Sequence, residues 1–243
     1  DGYSGIAIGN VVGSNIANIG LVLGISSIIF PIFIQFKVIK REIGIYLIVC
    51  LVFVLFILNQ QISQIEGLIL IMGIIGYTIL CIKKPSVAPG DVDDPLHSTI
   101  GTWILLILGI LLYFGSKLFV IGAIDLAHYF HVNKVVIGMT VVAFGTSLPE
   151  FATCIVAALR KESAISIGNI IGSNLFNILS VIGLVALVKP IDVDAGILLF
   201  EIPVMILFGL VLIPLSLMKQ PMSRISSFLL FVGYVLFVLY LYF

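Results

Sequence analysis

"GNVVGSN" occupies Gly9–Asn15 and "GNIIGSN" occupies Gly168–Asn174, in a chain of 243 residues of which 61% are hydrophobic and 10% charged. Amides and hydroxyls inside apolar sequence cost free energy unless they find polar partners. A greasy chain that carries such a stretch twice therefore uses it inside a helical bundle. The two copies belong to a longer match. Residues 5–24 align with 164–183 without a gap, at an offset of 159. The identical positions are Ile6, Ile8, Gly9, Asn10, Gly13, Ser14, Asn15, Asn18, Ile19, Val22 and Gly24. Eleven identities in twenty, three of them asparagine, exceed what two small-residue helices share by chance.

The composition sets the class. A soluble domain is nearer half apolar and a quarter charged, whereas this chain has a mean hydropathy of +1.30. Its apolar residues fall in blocks long enough to cross a bilayer, about 18 residues or more. The expected architecture is an all-α polytopic membrane protein, integral and multi-pass, with the lipid bilayer as its surroundings. Eight spans are predicted, at roughly 5–30, 43–59, 62–82, 100–122, 135–159, 164–188, 196–218 and 225–243. The net charge is zero and there is no basic tract, which argues against a nucleic-acid partner. Cys50, Cys81 and Cys154 lie inside apolar blocks without CxxC spacing and read as structural.

Lys83 to Ser98 is rich in proline, glycine and aspartate and reads as a linker. It divides the chain into residues 1–82, a connection at 83–99, and residues 100–243. Lysine and arginine concentrate in alternate connections, at Lys37, Lys40 and Arg41, at Lys83 and Lys84, at Arg160 and Lys161, and at Lys219 and Arg224. These connections are therefore cytoplasmic, which makes the linker cytoplasmic too and puts Asp1, Asp192, Asp194, Glu201 and Phe243 outside. The repeat opens the first and the sixth span, five crossings apart, so its copies run in opposite directions. Inverted repeats of this kind build secondary transporters, with the substrate site near the midplane where the copies meet.

The second copy and the span before it carry the chemistry. Glu150 lies mid-span, and an intramembrane carboxylate is functional by default or bonded to a neighbouring helix. Gly145 and Pro149 flank it and predict a helix break near 144–149 that frees carbonyls around Ala143 and Phe144. Thr146 and Ser147 lie in that break, and Ser147 shares a helix face with Glu150. Ser173 and Asn177 share a face, as do Ser14 and Asn18 in the first copy. Asn10, Asn15, Asn169 and Asn174 read as helix-to-helix bonds, and Gly9, Gly13, Gly168 and Gly172 as close-packing positions. The donors are all oxygen, which suits hard cations such as Ca²⁺ and Na⁺ and not zinc or copper.

One glutamate is few for Ca²⁺. The first repeat's version of "GTSLPE" would fall before residue 1, so two further spans of the same protein, one bearing a partner for Glu150, are expected upstream.

"GTSLPE" (145–150), "GNVVGSNIAN" (9–18) and "GNIIGSNLFN" (168–177) resemble the signature repeats of the sodium/calcium exchanger family, in the cation/calcium antiporter superfamily. The resemblance implies ten helices, of which about eight are present here, in two inverted halves around a four-helix core. It implies Na⁺/Ca²⁺ exchange by alternating access, with Ca²⁺ and Na⁺ as transported ions, no cofactor, no enzymatic activity, and a prokaryotic plasma membrane as the setting. By the same resemblance the ion ligands are Glu150, Thr146, Ser147, the Ala143 carbonyl, Ser173, Asn177, Ser14 and Asn18. Some members have aspartate where this chain has Asn177, which leaves K⁺ or H⁺ coupling and stoichiometry open. The alternatives are a Ca²⁺/H⁺ antiporter, a non-transporting membrane subunit, and a membrane enzyme built around His128, His131 and Asp125. The last lacks an HExxH pattern and a nucleophile.

Overall fold

The computed structural model describes residues 2–84, 110, 111, 114, 115, 117, 118, 121, 122, 125, 129, 134–218 and 220–243. The linker from residue 85 on, most of the expected span 100–122, His128 and His131 lie outside the described residues.

The first span is α1 (Gly2–Ala17), a π-helical stretch at Asn18–Leu23, and α2 (Gly24–Ile29). Two long helices follow, α3 (Phe36–Ile57) and α4 (Gln64–Lys83). The next crossing starts with α5 (Lys134–Ile137), continues through a π-helical stretch at Gly138–Val142 into α6 (Ala143–Thr146), and breaks. It resumes as α7 (Leu148–Leu159), bent by 41° at the break. α8 (Ser163–Phe176) runs through a third π-helical stretch, Asn177–Ile182, into α9 (Gly183–Val188). α10 (Ala195–Leu199), α11 (Glu201–Leu217) and α12 (Arg224–Tyr242) complete the order. Among the described residues, five helices are long and apolar enough to cross a membrane, or six if the bent pair forms one span.

Two boundaries differ from expectation. α3 starts at Phe36, seven residues before the predicted edge, because its charged first turns are held by partners. The Arg41 guanidinium donates to Glu42 Oε1 from Nε at 3.0 Å and Nη2 at 2.7 Å, and its Nη1 donates to the Lys84 carbonyl at the end of α4. Hydropathy alone cannot place charges so satisfied within a helix. The expected span 196–218 is split at Phe200.

The repeat extends far beyond its visible identities. The π-helical stretches Asn18–Leu23 and Asn177–Ile182 lie 159 residues apart, as do α2 and α9. Both spans then end in extended backbone, at Phe30 and Lys189. Serine caps both α4 and α12, through Ser63 and Ser223. The connections are also related. β1 (Gln61–Ile62), between α3 and α4, pairs antiparallel with β2 (Ile191–Asp192), which follows α9. In the mirrored place the Met222 amide, between α11 and α12, donates to the Ile32 carbonyl after α2, at 2.9 Å. Each half thus anchors the end of the other half's π-bulged span.

Burial separates core from periphery. The span Gly5–Ile29 is mostly buried, with Ile8, Val11, Val12, Ile16 and Ile19 wholly enclosed, whereas Gln64–Lys83 is mostly exposed. α4 exposes Ile65, Leu68, Ile69, Met72, Ile75 and Ile79, as a lipid-facing helix does. The central crossing depends on missing side chains. A Cβ on Gly13 would sit 2.6 Å from Met139 Cα, one on Gly9 2.7 Å from the Val135 carbonyl oxygen, and one on Gly138 2.8 Å from the Ile6 carbonyl oxygen. Backbone therefore lies on backbone where α1 crosses the helix that leads to the break.

Gly13→Ala is expected to lower stability by about 1–3 kcal/mol, since neither backbone can yield a few tenths of an ångström without repacking. Gly76→Ala, with nothing within 4 Å, is expected to stabilise by up to about 1 kcal/mol through helix propensity. Thermal unfolding of the two purified variants in detergent checks the contrast.

Candidate functional site

The break that carries Glu150 follows from local chemistry. Proline in the first turn of α7 has no amide to leave unpaired, so the new helix starts there without cost. Ser147 is the hinge residue, with φ −87° and ψ −3°. Glu150 falls in the first turn of α7, where the aligned amide dipoles favour a negative charge. The predicted free carbonyls are not free. The Ser147 amide donates to the Ala143 and Phe144 oxygens, both at 3.1 Å, and tightens the turn before the break.

Three of the eight sequence-derived candidates line one cavity of about 320 Å³: Glu150, Ser173 and Asn177, with Gly168, Asn169, Gly172 and Phe176. The Ser173 hydroxyl donates to Glu150 Oε1 at 3.3 Å. Asn169 Nδ2 donates to the Glu150 carbonyl at 3.4 Å and ties α8 to α7. Below this contact the α7–α8 hairpin is clasped by Ser166 Oγ donating to the Cys154 carbonyl at 3.3 Å and Cys154 Sγ donating to the Ser166 carbonyl at 3.4 Å. Cys154 is structural, as expected for a buried thiol.

Ser14, Thr146 and Ala143 form a second group, joined by Asn10. Thr146 Oγ1 lies 3.0 Å from Ser14 Oγ, 3.0 Å from Asn10 Oδ1, 3.0 Å from the Val142 carbonyl and 3.1 Å from the Ala143 carbonyl. Ser14 Oγ is also 3.3 Å from Asn10 Oδ1. Each hydroxyl has one proton to give. Two protons cannot serve the Asn10, Val142 and Ala143 oxygens and also the contact between the hydroxyls. The group is rich in lone pairs and short of donors.

Asn18 and Asn177 meet in a third group. Asn15 Nδ2 donates to the Asn174 carbonyl at 3.4 Å, and Asn174 Nδ2 donates to the Asn15 carbonyl at 3.3 Å. Asn18 Nδ2 donates to Asn174 Oδ1 at 2.9 Å, and Asn177 Nδ2 donates to Asn15 Oδ1 at 3.0 Å. Asn15 pairs with Asn174, and Asn18 corresponds to Asn177, at the same offset of 159. Reciprocal exchange of this form is the mark of a two-fold contact between like surfaces, here between the two halves of one chain.

The three groups connect. Thr146 adjoins Ser147, Glu150 follows one turn later, Ser173 bonds Glu150, and Asn177 bonds Asn15 on α1. Three candidate oxygens at this junction, Asn18 Oδ1, Ser147 Oγ and Glu150 Oε2, are buried without a hydrogen-bond partner among the described residues. Ser26 Oγ, Tyr46 Oη and Glu201 Oε2 share that condition, and of these groups and the three candidates only Glu150 lines the cavity.

The glycines divide against expectation. Gly9 and Gly13 pack backbone to backbone, whereas their counterparts Gly168 and Gly172 have nothing within 4 Å and line the cavity. The motif letters are identical in both copies, so no local signal distinguishes them. Asn10 and Asn169 likewise do more than join helices, since each contacts a candidate ligand residue.

A sequence profile described as "Sodium/calcium exchanger protein" matches residues 1–83 and 100–243. The chain belongs to the sodium/calcium exchanger family. It is 35% identical over 246 residues to the putative antiporter CaxA of Alkalimonas amylolytica, covering 94% of this chain and 76% of that protein. It is 29% identical over 285 residues to the sodium/calcium exchanger MaX1 of Methanosarcina acetivorans, covering 99% and 81%. Its fold matches the solved structure of the sodium-calcium exchanger NCX_Mj with a TM-score of 0.76 and 32% identity, covering 97% of this chain and 76% of that one. Family membership makes the chain an integral multi-pass membrane protein of a transporter class, not of an enzyme class.

Gly172 lines the cavity and has room for a Cβ, so Gly172→Leu would project a side chain into the cavity. Its unfolding temperature in the absence of ions is expected to stay close to wild type, while the rise in that temperature on adding Ca²⁺ is lost. Parallel melts with and without the ion read both effects.

Proposed function

We propose that the protein is a secondary antiporter that exchanges Na⁺ for Ca²⁺, with the ions bound at the junction of α1, α6, α7 and α8. One observation carries the reading: three buried candidate oxygens, Asn18 Oδ1, Ser147 Oγ and Glu150 Oε2, have no hydrogen-bond partner among the described residues. An unpartnered buried oxygen costs on the order of 1–3 kcal/mol, so several together at one junction are an unfavourable arrangement for a protein interior and a suitable one for a hard cation. Glu150 supplies the charge, with Ser147, Asn18, Ser173, Asn177, Ser14, Thr146 and the Ala143 carbonyl as neutral oxygens. Proline and the hinge at Ser147 place Glu150 in the first turn of a helix, where the aligned amide dipoles favour a negative charge.

The relatives support a cation antiporter. MaX1 is a sodium/calcium exchanger, and NCX_Mj structures were obtained with Na⁺ together with Ca²⁺ or Sr²⁺. Two ions that compete for one set of oxygens give exchange directly. Na⁺ released down its gradient vacates the ligands on the side it has reached, Ca²⁺ takes them from that same side and is carried back the opposite way, and alternating access follows from the two-fold relation of the halves.

Glu150→Gln in the full-length protein is expected to abolish Na⁺-driven Ca²⁺ uptake into vesicles, because the amide has the shape but not the charge. Near-normal uptake removes Glu150 from the mechanism. Uptake with Na⁺ absent and a pH gradient imposed, unchanged in rate, would replace Na⁺ with H⁺ as the driving ion.

A further inference from the structure

Resting on that assignment, we infer that Asn15 and Asn174 are positioning residues: each fixes the amide orientation of the ligand asparagine on the opposite repeat, so that α1 and α8 set one another's ion-binding oxygens. Neither residue lines the cavity, and both are fully or almost fully buried. Every polar atom of their side chains has a use. Asn15 gives its Nδ2 protons to the Asn174 carbonyl and to Met205 Sδ at 3.6 Å, and its Oδ1 receives Asn177 Nδ2. Asn174 gives Nδ2 to the Asn15 carbonyl, and its Oδ1 receives Asn18 Nδ2.

The consequence is directional. An amide has a donor end and an acceptor end on one planar group. With Nδ2 of Asn18 held by Asn174, Oδ1 of Asn18 must point the other way, and that atom is buried without a partner among the described residues. With Nδ2 of Asn177 held by Asn15, the oxygen of Asn177 is turned away from Asn15, on a residue that lines the cavity. Reversing either amide would set two oxygens, or two NH₂ groups, against each other. Asn15 and Asn174 therefore select the acceptor face of each ligand amide, which is the only face a cation can use. The backbone contributes the rest. The exchange of side-chain amides for main-chain carbonyls fixes both residues to the opposite helix, and the π-helical stretches that start at Asn18 and Asn177 begin one turn later in both copies.

The same geometry uses the amide at position 177. With Asn15 Oδ1 turned toward it, an ionised carboxylate there would set two acceptors against each other, whereas Asn177 Nδ2 supplies the proton.

A double-mutant cycle tests the claim. Ca²⁺ affinity is read from the Ca²⁺-dependent rise in unfolding temperature of the purified full-length protein, for Asn174→Ala, Asn18→Ala and the pair, and again for Asn15→Ala with Asn177→Ala. Asn174→Ala is expected to weaken Ca²⁺ binding by roughly fivefold in the wild-type background, the scale of one buried hydrogen bond, and by less than about twofold once Asn18 is alanine. Asn15→Ala should couple in the same way to Asn177, and each should be additive with the other's partner. Equal losses in both backgrounds would show mere helix packing and overturn the inference, as would no loss at all. Should alanine at 174 prevent folding, Asn174→Asp decides. In either protonation state it keeps the acceptor that holds Asn18 Nδ2. Near wild-type Ca²⁺ affinity supports the positioning role, and a loss of fivefold or more with intact folding overturns it. Wild-type protein that binds Ca²⁺ but carries no Na⁺-driven flux would instead defeat the antiport assignment and leave this inference standing.

Discussion

The structure depends on two helices of opposite direction touching where both are polar. Asn15 and Asn174 give their side-chain amides to each other's main-chain carbonyls, deep in a bundle whose surroundings offer no water in exchange. In lipid an apolar helix has no hydrophobic reason to prefer a protein neighbour, so registration must come from close packing and interhelical hydrogen bonds. Asparagine at these two points gives α1 and α8 one register, and the glycines let α1 reach the helix before the break. From that fixed crossing the ligand residues acquire positions: Asn18 and Asn177 by hydrogen bond, Ser14 by its contact with Thr146, Ser173 by its bond to Glu150.

π-helical stretches give the core its shape. All three in the described residues lie on core helices, at Asn18–Leu23, Gly138–Val142 and Asn177–Ile182, and none on α3, α4, α11 or α12. A π turn takes in one more residue than an α turn and shifts every later side chain around the axis. It lets a helix present Ser14 and Asn18, or Ser173 and Asn177, to one point and still turn its apolar residues to its neighbours afterwards. The break at Ser147 does the same for Glu150 by a different route, with proline ending one helix and starting the next.

Much of this was legible in the sequence where a residue has a strong local effect. Pro149 and Gly145 announced the break, intramembrane Glu150 announced a polar site, and two copies of GNxxGSN announced the repeat. What stayed hidden had no local cause. α3 begins early because Arg41 finds Glu42 and the end of α4, contacts made by the fold. Gly13 and Gly172 are the same letter in the same motif, one pressed against Met139 and the other facing open space. The repeat in α3, α4, α11 and α12 leaves little trace in the letters, because a lipid-facing position accepts any apolar residue and so drifts freely. Asn15 and Asn174 were readable as interhelical bonds, but not as partners of one another.

The pairing of connections has a consequence for how the chain assembles. β1 meets β2 on one side of the membrane, and Met222 meets Ile32 on the other. The Phe33 amide reaches Ser163 Oγ, 130 residues along, at 3.0 Å. Neither half can therefore close its own ends. Helices threaded into the bilayer early in synthesis must wait, with loop termini and buried amides unsatisfied, until their counterparts emerge from the ribosome. Maturation is a late event that locks both halves at once, and cutting the protein between them would leave two unfinished pieces, not two smaller transporters.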